Sequence, residues 1–166
     1  MVNLEVVENK AHFIINDIVK ECLKQHKGGE NFFTLLDYNI QNNKDLILQM
    51  IDFITINYDY IIVSGNFGRA FYSYSNNYYT NIDVNKIIIV NGNLRKGVCV
   101  DKFWNFYNIQ NKKTIFIDDS FYSGKTRNVI QKAVEEQGGK LIHTFCYYDG
   151  SKVKENNVSS FYRWYK

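Results

Sequence analysis

The stretch from Thr114 to Tyr148 constrains the fold more than any other part of this chain. Thr114–Ile117 is a short apolar run rich in β-branched residues, and Val129, Ile130, Ala133 and Val134 then recur at helical spacing over Lys125–Glu136. Gly138-Gly139 stops that helix before a second apolar run, Leu141–Tyr148. Strand, helix, strand reads as a right-handed crossover that lays the two strands parallel. The upstream runs Tyr60–Val63 and Lys86–Val90 have the same character. Strands this continuously apolar need cover on both faces, so an α/β fold is expected, with a central, mainly parallel sheet flanked by helices.

Two helices are expected ahead of the sheet. Residues 11 to 25 place Ile14, Ile15, Ile18, Val19 and Cys22 at helical spacing before Gly28-Gly29. A second helix starts near Asn43, carries Leu46, Ile47, Met50, Ile51 and Ile54 on one face, and ends about Asn57. A glycine loop and a short helix are expected between Val63 and the next strand.

Composition narrows the class of partner. With 166 residues the chain has the size of one domain, and 45 % hydrophobic residues spread along it suit a packed core. Twenty basic against 17 acidic residues leave a net charge of +3, too balanced for a dedicated nucleic-acid binder. Cys22, Cys99 and Cys146 are odd in number and lack CxxC spacing, which fits a reducing compartment, the cytosol, better than a disulfide framework. No apolar run is long enough to span a bilayer, so no membrane partner is expected.

Ligands of such sheets sit beyond the carboxyl ends of the strands, so the loops after Val63, Val90, Ile117 and Tyr148 should converge on one site. After Ile117 come Asp118-Asp119, then Ser120-Phe121-Tyr122, then Ser123-Gly124-Lys125-Thr126 opening the helix. Unpaired N–H groups at a helix N-terminus carry partial positive charge, so a turn of Ser123, Gly124 and Thr126 suits a phosphate. Two adjacent acids would repel that phosphate if they faced it. They suit instead the vicinal hydroxyls of a ribose, or a Mg²⁺ ion on those hydroxyls. Two plainer readings stand beside a ribose 5-phosphate site: a nucleotide P-loop, and an ordinary strand followed by a capped helix. The P-loop meets Asp119 where GxxxxGKT requires its first glycine.

This segment, TIFIDDSFYSGKT, resembles the signature of type I phosphoribosyltransferases: four apolar residues, two acids, an apolar residue, two variable positions and Thr-Gly-x-Thr. It departs from that pattern at Ser120, usually small and apolar, and at Ser123, more often Thr. The resemblance implies the type I phosphoribosyltransferase fold over residues 1–166, with N-terminal helices over 1–58, a core over 59–150 that binds 5-phosphoribosyl 1-diphosphate (PRPP), and a C-terminal extension over 151–166. A mobile lid and a small hood from the terminal parts belong to that expectation. The ribose 5-phosphate would lie on Asp118, Asp119, Ser120, Phe121, Tyr122, Ser123, Gly124, Lys125 and Thr126, with Asp118 and Asp119 reaching Mg²⁺ directly or through PRPP and water.

Three further segments complete the expectation. Ser64-Gly65-Asn66-Phe67-Gly68-Arg69 is a glycine-spaced loop able to approach pyrophosphate through its backbone, although a glycine turn between strand and helix is also ordinary structure. Asn91 to Lys102 resembles the Arg-Lys opening of the mobile loop in orotate phosphoribosyltransferases, which makes Arg95, Lys96 and Lys102 candidates for the diphosphate; a solvated hairpin is the alternative. Tyr148 and Asp149 end the last strand where the family recognises its base. Gly150 and Ser151 stand where orotate-using relatives tend to place an arginine, so a pyrimidine such as orotate and a purine both remain open. His12, His26 and His143 have no metal-ligand spacing.

The implied activity is that of a Mg²⁺-dependent pentosyltransferase of nucleotide metabolism or salvage. It would move ribose 5-phosphate between PRPP and a nucleobase and release pyrophosphate, with Asp118, Asp119, Lys96 and Arg69 as the catalytic set and a homodimer as the common assembly. The alternative is a regulator of the same fold that binds PRPP or a nucleotide without turnover. A diphosphokinase that makes PRPP shares the acidic motif but is usually a longer, two-domain chain.

Overall fold

The computed structural model of the chain describes residues 58–78, 82–90 and 108–163, together with Gln41, Lys44, Asp45, Ile47, Leu48 and Ile51. The expected helix over 11 to 25 and the lid candidates Arg95, Lys96 and Lys102 lie outside the described residues.

Five strands form one parallel sheet: β1 (Tyr60–Val63), β2 (Ile87–Ile89), β3 (Lys113–Phe121), β4 (Lys140–Asp149) and β5 (Val158–Arg163). Helix α1 (Gly65–Asn77) follows β1, a 3₁₀ turn over Val84–Lys86 leads into β2, and helix α2 (Lys125–Glu136) joins β3 to β4. The spatial order is β2-β1-β3-β4-β5. From β1 the chain moves one way to β2, and from β3 it moves the other way to β4. Crossovers of one hand wound in opposite directions put their helices on opposite faces.

The core divides accordingly. On one face Ile61, Val63, Ile115, Ile117, Phe145 and Tyr147 pack with Phe67 and Phe71 of α1 and with Ile47 and Ile51. On the other, Ile62, Ile88, Val90 and Phe116 pack with Ile130 and Val134 of α2. Alternate residues of β1, β2 and β3 therefore serve different cores, which is why these strands read as unbroken apolar runs. The described residues around Ile47 and Ile51 are helical, as the spacing of the second expected helix required.

The α/β class and the bounds of α2 agree with the sequence reading; three elements differ. Strand β3 does not stop at Ile117 but runs on through Asp118, Asp119, Ser120 and Phe121, because β4 pairs with it to the end, Asp118 opposite Cys146 and Phe121 opposite Asp149. Residues 151–166 are expected only as an extension, yet Val158–Arg163 is strand β5: Val158, Phe161 and Tyr162 are strand formers, and pairing of Thr144 with Val158 and Cys146 with Ser160 fixes it at the sheet edge. Third, α1 is 13 residues long and opens at Gly65, inside the expected loop.

His143 sits on β4 with Nε2 2.9 Å from Ser159 Oγ, and burial lowers its pKa. A histidine whose folded pKa lies below its unfolded value favours the unfolded chain once that chain takes up the proton. Its neutral form stabilises the fold fully above about pH 6.5, and this contribution is lost as pH falls through the unfolded pKa toward the folded one. The melting temperature is expected to drop less between pH 7 and pH 5 in His143→Gln than in the wild type; equal drops would show that His143 takes no part.

Candidate functional site

The order of strands reverses between β1 and β3, and in open parallel sheets that reversal leaves a crevice at the carboxyl ends of the two strands. Both helices start on the carboxyl side of the sheet, on opposite faces, each with a positively polarised N-terminus. They are treated differently by the chain.

The N-terminus of α1 is filled from within. Its N-cap, Ser64, makes no side-chain capping bond. Asp119, 7 % exposed on β3, reaches across instead and accepts the Phe67 N–H through Oδ1. Gly65 has φ of 67°, and a Cβ placed on it would stand 2.5 Å from Asp119 Oδ2 and 2.9 Å from Asp118 Oδ1. The backbone of α1 thus lies directly against the acid pair, and only a residue without a side chain fits.

The N-terminus of α2 is left open. Gly124 is its N-cap in the left-handed region, φ 75°, with no side-chain capping bond, and its first turn holds no acidic residue. Lys125 and Arg127 stand in that turn instead, adding positive charge to an already positive end, an arrangement that disfavours the helix unless an anion joins it. A cleft forms over this turn. It is lined by Asp118, Ser120, Phe121, Tyr122, Ser123, Gly124, Lys125 and Thr126, with Phe116, Arg127 and Thr144 completing the wall.

Eight of the nine residues expected at a ribose 5-phosphate therefore line one cleft; Asp119 is the exception. Successive strand residues point to opposite faces, so Asp118 lines the cleft and Asp119 bonds α1, although an oxygen of each stands beside Gly65. Asp118 is half-buried at the cleft, where its Oδ1 also accepts the Asp119 N–H at 2.9 Å. Among the described residues no group of three or more His, Cys, Asp or Glu is placed to hold a metal ion.

Two expectations need correction. Ser64, Gly65, Asn66, Phe67, Gly68 and Arg69 are not a loop but the cap and first turns of α1. Phe67 is wholly buried against Phe145 and Tyr147, Gly68 is buried, and Arg69 is exposed on the helix; among the described side chains, those of Ser64, Phe67 and Arg69 do not line the cleft. Tyr148 and Asp149 are likewise turned inward, each 1 % exposed. The Asp149 carboxylate is occupied by the Ser151 N–H at 2.9 Å, the Ser151 hydroxyl at 2.6 Å and Arg163 Nε at 3.3 Å. The aromatic presented at this edge is Tyr122, 40 % exposed, whose ring lies over Gly150 and edge-on to Tyr148.

Sequence reasoning missed Arg127 and Thr144. Arg127 follows the motif by one position, a signal that was legible. Thr144 lies on another strand opposite Phe116, and only sheet register brings it to the cleft.

Fold and site together define an α/β protein with a parallel sheet and a cleft over the uncapped N-terminus of α2, walled by the ends of β3 and by Thr144 of β4. No protein-family model and no curated protein matches the sequence. Among solved structures the chain is similar to a purine phosphoribosyltransferase from Pyrococcus horikoshii, at 17 % identity and a TM-score of 0.49 over 78 % of this chain and 87 % of that one. At that level neither a residue role nor a base is carried across. Among the described residues, no helix is long and apolar enough to cross a membrane.

Proposed function

We propose that the cleft holds a ribose 5-phosphate and that the chain is a phosphoribosyltransferase acting on PRPP and a nucleobase. One observation carries this reading: a strand-end carboxylate, Asp118, and the uncapped N-terminus of α2 line the same cleft. A helix N-terminus suits the 5′-phosphate, while a carboxylate beside it suits a group that donates hydrogen bonds, which a ribose diol does. Neither alone would distinguish a phosphosugar from any other anion.

The chemistry asked of the protein is mainly electrostatic. As the bond from C1 to the diphosphate loosens, the ring gains positive charge and the leaving group negative charge. Backbone N–H groups of Lys125, Thr126 and Arg127 fix the phosphate end, and Asp118 faces the ring side with its negative charge. Lys96 and Lys102 are the basic residues we assign to the diphosphate, and Tyr122 is the aromatic that we assign to the base. Asp118 offers one accessible carboxylate while Asp119 is committed to α1, a donor set that fits a Mg²⁺ ion carried mainly by substrate oxygens. Such an ion, when bound, neutralises the diphosphate.

A second reading, a binder without turnover, draws on the filled N-terminus of α1: with Asp119 there and Arg69 outside the cleft, the first loop offers a diphosphate little. Incubation with PRPP, Mg²⁺ and a panel of purine, pyrimidine and nicotinate bases separates the two. Pyrophosphate release with at least one base is expected. PRPP binding without release on every base would select the binder, and absence of PRPP binding would overturn both.

A further inference from the structure

The cleft contains a cation that the phosphosugar signature does not call for. Arg127 Nη1 pairs with Glu155 Oε2 at 2.9 Å, Nε donates to Asn128 Oδ1 at 2.8 Å, and the guanidinium lies 5.3 Å from the centroid of the Phe121 ring. Its Nη2 comes within 3.1 Å of where a Cβ on Gly124 would stand, so this nitrogen overlies the turn that opens α2. The Arg127 side chain is 11 % exposed and that of Glu155 39 %, so the cation is held in the wall of the cleft while its counter-ion stands toward solvent. A second observation points to the same place. Thr144 is 2 % exposed, lines the cleft, and its Oγ1 has no hydrogen-bond partner among the described residues. A buried hydroxyl without a partner is unfavourable and is relieved by a polar ligand.

We propose that Arg127 is a binding residue for the phosphomonoester end of the ligand, positioned by Asn128 and Phe121 and partly neutralised at rest by Glu155. This rests on the reading of the cleft as a phosphosugar site and adds to Lys125 a second, fixed side-chain charge that suits a dianion. A guanidinium presents planar, fixed donors that suit phosphate oxygens, and one already ordered by three neighbours loses little freedom on binding. Glu155 competes for the same charge. Its negative charge lowers the attraction of the cleft for an anion, yet it also anchors the segment between β4 and β5 to α2, so ligand binding and that anchor draw on one cation.

Titration calorimetry with ribose 5-phosphate and with inorganic phosphate tests this. Glu155→Gln keeps a hydrogen-bond acceptor but removes the competing charge, and is expected to tighten ribose 5-phosphate binding about threefold or more. Arg127→Gln is expected to weaken it roughly tenfold, with Arg127→Lys between. If the pair served structure only, Glu155→Gln would leave affinity unchanged or weaken it, and that result in a protein of unchanged melting temperature overturns the proposal. Wild-type binding of neither ligand would overturn the phosphosugar reading and this inference together. Wild-type binding that is insensitive to Arg127→Lys and Arg127→Gln overturns this inference alone.

Discussion

Gly65→Ala should lower the melting temperature of this protein by roughly 5–15 °C. The new Cβ would stand 2.5 Å from Asp119 Oδ2 and 2.7 Å from its Cγ, on a residue whose φ is 67°. The left-handed backbone alone costs an alanine about 1–2 kcal/mol, and forcing a methyl into a closed contact adds roughly 1–3 kcal/mol. Against a total stability of about 5–15 kcal/mol this is a large share. Gly138→Ala is the control. It has φ of 76°, but the nearest atom to its Cβ would be Cγ of the flexible Gln110 side chain, at 3.2 Å, so a loss near the backbone term is expected. Thermal melts of the two variants decide the matter. Were Gly65 a loop glycine kept for ligand approach, Gly65→Ala would spare the melt and harm binding alone.

Asp118→Asn and Asp119→Asn should part company, though the residues are neighbours. Asp119 is buried and answers the N-terminus of α1; removing its charge takes away a charge-assisted bond and a favourable dipole term, roughly 1–3 kcal/mol together. Asp119→Ala, which strands the Phe67 N–H altogether, should cost the upper end of that range or more. Asp118 lies at the cleft, and Asp118→Asn should change stability by less than about 1 kcal/mol while weakening PRPP binding roughly tenfold to a hundredfold. Melting curves and PRPP titrations of both variants provide the check. An Asp118→Asn variant that binds PRPP as the wild type does would remove the ribose from the cleft.

Much of the frame was legible because it depends on patterns confined to short stretches. Lys125–Glu136 shows its apolar stripe and its closing glycines within a dozen positions, and it is the helix observed. The strand cores of β1, β2, β3 and β4 were visible as β-branched runs, since burial on both faces leaves no polar alternation to confuse them. Strand ends were not. Asp118 to Phe121 looks like a loop by propensity, and Val158 to Arg163, though it holds Val, Phe and Tyr, is too short and too near polar residues to announce a strand; both are strands because β4 lies between them and pairs with each.

The acid pair at Asp118-Asp119, the opening point of this reading of the cleft, shows the same division more sharply. The sequence by itself determined that a strand would carry two carboxylates up to a helix N-terminus, because apolar run, acids and Ser-Gly-Lys-Thr are contiguous and their chemistry is local. Only the tertiary structure decided what each carboxylate does. Side chains alternate across a strand, so Asp118 came to line the cleft while Asp119 bonds a second helix N-terminus, 52 positions away in the chain at Phe67, with an oxygen of each beside Gly65. That choice depends on where α1 begins and on which face it packs, and neither is written in the motif.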